Sequence, residues 1–203
     1  PLMNNRVLLT ITSFAAFMAT GVANPVNSLY LEFLGASFSA IGLLGTVTAF
    51  TSIILSFVWG RTSDRTGKRK GILLIGLLGL AACNGLISIV PSYLYLFPLR
   101  LLSGAFLSAY ATASLAMMGD ELESHESTRG RKMGTFRGLS SLGFGLMAFL
   151  SGSIADRFSL RMPFVLAALF YIVALVFAAA VKEAGTEMTA KPSVENPFRS
   201  LAA

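Results

Sequence analysis

Charged residues are scarce in this 203-residue chain, where 13% are Asp, Glu, Lys or Arg, against about 25% in soluble domains. One cysteine, Cys83, and one histidine, His125, exclude a disulfide framework and a Cys/His metal cluster. The sequence also has no nucleophile–base pair and no phosphate-binding glycine loop. We therefore expect no enzyme activity, no cofactor and no metal site.

What the chain has instead is long apolar runs separated by short charged clusters, with 54% hydrophobic residues and a mean hydropathy of +0.70. A helix needs about 20 apolar residues to cross about 30 Å of hydrocarbon. Six runs are long enough: about 8–31, 39–60, 71–91, 94–118, 134–155 and 162–181. The sequence predicts an all-α membrane protein that lies in a lipid bilayer as a bundle over residues 1–184.

The basic residues set the orientation of the spans. The net charge is +6, but the basic residues lie in loops between apolar runs, which favours membrane topology over a nucleic-acid partner. Thirteen Lys or Arg residues fall on the side of both termini, and only Arg157 and Arg161 fall on the other side. The positive-inside rule then predicts a multi-pass protein of an inner or plasma membrane with both ends in the cytoplasm.

An internal repeat relates the two halves of the bundle. Residues 56–69 (SFVWGRTSDRTGKR) and 148–161 (AFLSGSIADRFSLR) share five identities at a constant offset of 92, among them Gly60/Gly152, Asp64/Asp156 and Arg65/Arg157. The first copy faces the cytoplasm and the second the outside. We therefore expect two inverted three-helix repeats, roughly 8–91 and 94–181, as in transporters built from inverted repeats.

Polar residues concentrate on spans one and four, which are equivalent in the repeat. At helical spacing they form one stripe on each span, and we expect these stripes to line a polar interior. Spans three and six are nearly featureless and are expected to face lipid, while the small residues of spans two and five suit close helix contacts. The candidate cavity residues are Thr20, Asn24, Asn27, Arg100, Ser103 and Tyr110.

The segment GRTSDRTGKRK at residues 60–70 carries a family resemblance. It resembles the loop between the second and third spans of the major facilitator superfamily, G-x-L-a-D-R-x-G-R-K, with Thr62 in place of the usual Leu. The RGRKMG segment at 129–134 also falls where an amino-terminal half has it. The matching residues are Gly60, Asp64, Arg65, Gly67, Lys68 and Arg69.

That resemblance implies twelve spans in two six-helix bundles and alternating access for a small-molecule substrate. It implies that this chain is the amino-terminal bundle, that 185–203 is a cytoplasmic linker, and that a second bundle follows or a second copy pairs with the first. It also implies that Asp64 and its arginines latch a gate against the partner bundle. The alternative is a basic loop that only sets topology.

Arg100 begins an R-x-x-x-G sequence in span four that resembles the family's fourth-helix arginine motif. An intramembrane charge indicates function, and the alternative is a side chain that snorkels to the interface. Asn24 and Asn27 flank Pro25, a residue able to kink span one. These asparagines either bind substrate or join helices, and the sequence leaves both open.

Span five departs from the G-P-x-x-G-G pattern that antiporters often carry, since Met147, Ala148, Ser151 and Gly152 occupy those places. This departure argues against proton-linked drug antiport. The leading hypothesis is a secondary active or facilitative transporter. The second hypothesis is a membrane scaffold that kept the same fold without transporting.

Overall fold

The computed structural model describes residues 4–123 and 128–182. Within these ranges the regular structure is helical and no strand is present. In chain order the helices are α1 (Asn5–Ala23), α2 (Asn27–Phe33), α3 (Phe38–Thr66), α4 (Arg69–Ile89), α5 (Leu96–Glu121), α6 (Arg129–Arg157) and α7 (Met162–Ala180). A 3₁₀ turn, Tyr93–Tyr95, leads into α5.

Six of these helices are long and apolar enough to cross a membrane, which confirms the predicted number of spans. The short α2 continues span one after a break at residues 24–26. Pro25 explains the break, because its nitrogen carries no hydrogen for the helical ladder. The linker predicted at 185–203 and His125 lie outside the described residues.

The connection predicted between spans two and three is too long. The segment 61–70 was expected to be a loop, but α3 continues to Thr66 and α4 begins at Arg69. Only Gly67 and Lys68 connect them, and Gly67 has the left-handed φ of 66° that this tight turn requires. Hydropathy falls where a helix leaves the hydrocarbon, whereas its backbone hydrogen bonds continue into the interface.

The helices pack in a pattern that is symmetric under the repeat. Helix α1 packs on α6 and α7, α5 packs on α3 and α4, and α4 packs on α7. Exchanging α1 with α5, α3 with α6 and α4 with α7 leaves this set of pairs unchanged. The two flanking helices, α3 and α6, each have 29 residues. This packing agrees with the two inverted three-helix units predicted from the sequence.

The close contacts expected of the small residues in spans two and five are formed only in part within the described residues, as where Gly143 meets Phe14. Among the described residues, no neighbouring atom lies within 4 Å of a Cβ built on five glycines of these spans: Gly42, Gly45, Gly138, Gly145 and Gly152. Spans three and six each have a packed face and an exposed apolar face, as expected for helices that border lipid: α4 buries Leu73 and Leu77 but exposes Leu78 and Ile89. Sequence periodicity shows where small residues lie but not which neighbouring helix they meet.

Helices α3 and α6 form the open flanks of the bundle. Of the residues in α3, only Leu44 and Ser63 are buried, and Phe50 and Phe57 are 64% and 76% exposed. On α6, Leu142 and Phe149 are 67% and 84% exposed. Two long apolar helices therefore lack a protein neighbour on one face within the described residues.

The start of α1 is tied to the ends of α5 and α7. The Asn5 amide donates to Glu121 Oε1 at 2.8 Å, and its carbonyl oxygen accepts from the Lys182 backbone N–H at 3.0 Å. Arg6 Nε lies 3.9 Å from Glu121 Oε2. These contacts close one end of the bundle, where loops alone would leave helix termini unsatisfied.

A substitution at Gly104 tests the packing of α5 on α3. A Cβ at Gly104 would lie 2.5 Å from the Thr48 carbonyl oxygen, so Gly104→Ala must push α5 away from α3. We expect a loss of about 1–3 kcal/mol of stability, measured as a lower midpoint of thermal unfolding in detergent. Gly85→Ala is the matched control, because its Cβ would meet only the Ala168 Cβ at 4.0 Å. Equal midpoints for the two variants would contradict the α3–α5 contact.

Candidate functional site

The first candidate site is an open groove between α1, α2, α3 and α5, with a volume of about 460 Å³. We call it the Arg100 groove. Its lining combines three polar side chains from spans one and four with small residues of span two. The lining residues are Asn24, Asn27, Gly45, Thr48, Ala49, Ser52, Ile53, Arg100 and Leu107.

Arg100 is held in this groove by the break in span one. Its Nη2 donates to Asn27 Oδ1 at the first residue of α2, and its Nε is buried without a hydrogen-bond partner among the described residues. Since α1 ends at Ala23, the turn at Pro25 redirects the chain and places the Asn27 amide opposite α5. A guanidinium has five donors and no acceptor, so this site offers hydrogen-bond donors and positive charge.

A second cavity of about 210 Å³ lies between α1, α5 and α6, and we call it the Arg137 pocket. Ser13 and Ser114 join its two walls through a hydrogen bond of 3.0 Å. Tyr110 stands four residues before Ser114 on α5, on the same face of the helix. The lining residues are Ser13, Phe17, Tyr110, Ala111, Ser114, Leu115, Phe136, Arg137, Ser140 and Ser141.

The two cavities correspond under the repeat. The offset of 92 found in the sequence carries Gly45, Thr48 and Ala49 of the Arg100 groove onto Arg137, Ser140 and Ser141 of the Arg137 pocket. Spans one and four are related by a different shift, of 87 positions, which carries Ser13 to Arg100 and Asn27 to Ser114. The hydrogen bond between Ser13 and Ser114 therefore corresponds to the one between Arg100 and Asn27. The repeat thus builds one cavity toward each end of the bundle.

The predicted cavity residues are divided among three places. Asn24, Asn27 and Arg100 line the groove together, while Tyr110 lines the pocket. Ser103 is buried and lines neither cavity. Thr20 also lines neither, since its hydroxyl lies 3.0 Å from the Tyr171 hydroxyl of α7. The role of all six residues in binding stays a prediction.

The candidate gating residues lie at the end of α3 and the start of α4. Arg69 does not reach outward: its Nη1 donates to Asp120 Oδ2 and to the Ala116 carbonyl oxygen at 3.2 Å. Asp64 lies 3.7 Å from Arg69 Nη2, and its side chain is 75% exposed. The structure therefore links this arginine to α5 within the bundle and leaves the Asp64 carboxylate largely free toward solvent.

The remaining residues of the motif have structural surroundings of different kinds. Gly60 sits within α3, where an added Cβ would meet only Thr112 at 3.8 Å. Arg65 is exposed in the last turn of α3, and Lys68 precedes α4 as its N-cap. The repeat equivalents Gly152, Asp156 and Arg157 lie at the end of α6 and are exposed. Their positions match the repeat, and their function stays a prediction.

The sequence did not indicate two residues of these sites: Asp120, which pairs with Arg69, and Arg137, which lines the pocket. Asp120 pairs with a residue 51 positions away, and no periodicity links the two. Arg137 was counted among the charges that set topology, but it lines the pocket eight residues inside α6. The offset of 92 applied to the groove-facing residues of span two could have indicated this pocket.

Removing the Asp120 carboxylate tests the contribution of its ion pair with Arg69. We expect Asp120→Asn to lower the free energy of unfolding by about 1 kcal/mol, because charge-assisted hydrogen bonds contribute about 1.5–3 kcal/mol and partial exposure weakens this one. Asp64→Asn is the matched control and should cost less, since its pair is longer and more exposed. Chemical denaturation in detergent measures both, and an equal or larger loss for Asp64→Asn would contradict the assignment.

Comparison with known proteins gives the family. The model described as Major Facilitator Superfamily matches residues 9–203. The chain is 28% identical over 189 residues to "Uncharacterized transporter YwbF" of Bacillus subtilis, covering 92% of this chain and 46% of that protein. It is 32% identical over 173 residues to "Multidrug resistance protein 1" of Bacillus subtilis, covering 84% and 42%.

A third relative is "Quinolone resistance protein NorA" of Staphylococcus aureus, 27% identical over 175 residues that cover 86% of this chain and 44% of that protein. The chain therefore spans about half the length of the curated relatives it matches. The family match extends over nearly the whole chain and agrees with six spans, the inverted repeat and the motif at the end of α3. This chain belongs to the Major Facilitator Superfamily.

Proposed function

We propose that this chain is the amino-terminal six-helix bundle of a secondary active or facilitative transporter that moves a small solute by alternating access. The observation that supports this proposal most strongly is the Arg100–Asn27 pair in its groove. A charge within a membrane span costs at least about 2.5 kcal/mol on insertion scales and marks a pathway more often than a packing device. A scaffold would have no need to hold it.

The proposal also includes a partner for the open side of the bundle. The exposed apolar residues of α3 and α6 flank the two cavities. Several glycines of these helices meet no neighbour among the described residues: Gly42, Gly45, Gly138, Gly145 and Gly152. Small residues allow close approach of a neighbouring helix. A second six-helix bundle, from the same polypeptide or from a second copy, fits between these flanks and converts the grooves into a central cavity.

The orientation and the latch belong to this proposal. With thirteen basic residues against two, both termini lie in the cytoplasm of an inner or plasma membrane. The Arg137 pocket then opens toward the cytoplasm and the Arg100 groove toward the outside. Asp64 lies at the cytoplasmic end of α3, where its exposed carboxylate can meet a helix amino terminus of the partner bundle. The resemblance of residues 60–70 to the family's loop motif supports this assignment.

The names of two relatives refer to resistance to drugs, which makes drug efflux a candidate activity. Two features of this chain argue against the proton-linked form of it. Span five lacks the G-P-x-x-G-G pattern, and no Asp or Glu is among the residues that line either cavity. We therefore leave the coupling ion open in this proposal and keep transport of a small solute as its content.

Accessibility from the two sides of the membrane tests alternating access without a known substrate. Single cysteines are introduced by Ser52→Cys in the groove and Ser141→Cys in the pocket, in a Cys83→Ala background. A membrane-impermeant maleimide should label the first only from outside and the second only from the cytoplasm. Because Asp64 latches one state, adding Asp64→Asn should raise one labelling rate and lower the other.

Thr128→Cys and Ser159→Cys serve as sidedness controls at opposite ends of the bundle, since both positions are exposed. Asp156→Asn is the matched control for the latch, because it removes the equivalent carboxylate from the other repeat. Labelling rates at Ser52 and Ser141 that Asp64→Asn leaves unchanged would contradict alternating access and support a static scaffold. Labelling of Ser159 from the cytoplasm would overturn the orientation.

A further inference from the structure

We propose that the transported solute is an organic anion, and that Arg137 forms a second cationic subsite for it at the opposite end of the cavity from Arg100. This inference rests on the proposed transport function and names its substrate class. It starts from the Arg137 pocket, whose polar groups are hydroxyls of serine and tyrosine and one guanidinium. Guanidinium and hydroxyl donors together match the oxygens of a carboxylate or phosphate.

Neither guanidinium is neutralised by the bundle itself. Arg137 has no hydrogen-bond or ion-pair partner among the described residues, and Arg100 contacts only the neutral Asn27 amide through a hydrogen bond. The acids nearest along α5 are engaged elsewhere, Asp120 by Arg69 and Glu121 by Asn5. Arg137 is exposed in its open pocket and Arg100 is half-buried in its groove, and an unneutralised guanidinium at either place attracts an anion and repels a cation.

The position of Arg137 argues against a role in topology alone. Arg129, Arg131 and Lys132 already supply positive charge at the start of α6. Arg137 lies eight residues beyond Arg129, which places it about 12 Å further along the helix axis. Its side chain lines a cavity instead of the helix terminus. A charge that only sets topology can lie at the helix terminus, whereas a charge that binds a solute must line a cavity.

The two arginines do not occupy equivalent positions in the repeat. Arg137 stands where span two has Gly45, and Arg100 stands where span one has Ser13. Each cavity therefore has one guanidinium, carried by a different wall in each case. With one such group toward each end, an anion entering from either side meets a positive charge first, and it can pass from one to the other as the cavity reopens.

Matched ligands test the substrate class. Several carbon skeletons are prepared as carboxylate, phosphonate, amide and ammonium. Thermal unfolding of the purified full-length protein is followed through tryptophan fluorescence, to which Trp59 contributes. We expect an anionic form of at least one skeleton to raise the unfolding midpoint, with its amide and ammonium forms leaving the midpoint unchanged. The carboxylate and phosphonate arms distinguish the two anionic groups.

Variants test the two arginines. Arg137→Gln and Arg100→Gln should each weaken the apparent affinity for that anion by about ten- to a hundredfold, and Arg137→Lys should restore most of it. Arg129→Gln, at the exposed start of α6, is the control and should leave the affinity unchanged. The midpoint of each variant without ligand verifies folding.

Three results would overturn the inference. An ammonium or amide form that stabilises as well as the anions excludes the anionic class, and binding unaffected by Arg137→Gln excludes the second subsite. A protein that binds none of the anions also overturns it. The accessibility experiment with Ser52→Cys and Ser141→Cys needs no ligand, so it decides separately whether the transport proposal survives.

Discussion

The Arg100 guanidinium must avoid hydrocarbon, and this constraint decides which side of the bundle can face lipid. Its one observed hydrogen bond goes to Asn27, and its Nε has no partner among the described residues. Water or protein must cover the groove, because an unsatisfied polar group in hydrocarbon costs several kcal/mol. The break at Pro25 is part of the same arrangement, since it brings Asn27 to the arginine.

The packing of the helices separates the face that carries the two cavities from the faces that border lipid. Helices α4 and α7 pack on each other and on α5 and α1, and so form the back of the two cavities. The flanking helices α3 and α6 each contact one main neighbour and leave their other faces open. Close contacts such as Gly104 on Thr48 and Gly21 on Phe144 fix the flanks to the centre.

Sequence predicted those features that depend on the bilayer or on local backbone chemistry. Hydropathy gave six spans, the constant offset of 92 gave the inverted repeat, and Pro25 gave the break in span one. Helix ends were missed, as at Thr66, because helical hydrogen bonds persist beyond the hydrocarbon. The contact of Arg69 with Asp120 was also missed, because it joins residues from different helices with no shared pattern. The sequence also indicated that the small residues of spans two and five suit close contacts, but it could not show which of them meet a helix of this bundle.

Under the proposed function, a six-helix bundle with Arg100 and Arg137 on one open side works only when a second bundle covers that side. Native mass spectrometry of the purified protein in mild detergent, combined with uptake by the same preparation in liposomes, tests this claim most directly. The account predicts an active particle with two six-helix bundles, from one longer polypeptide or from two copies. A stable, transporting particle that contains one copy of this 203-residue chain and no other helices would contradict it.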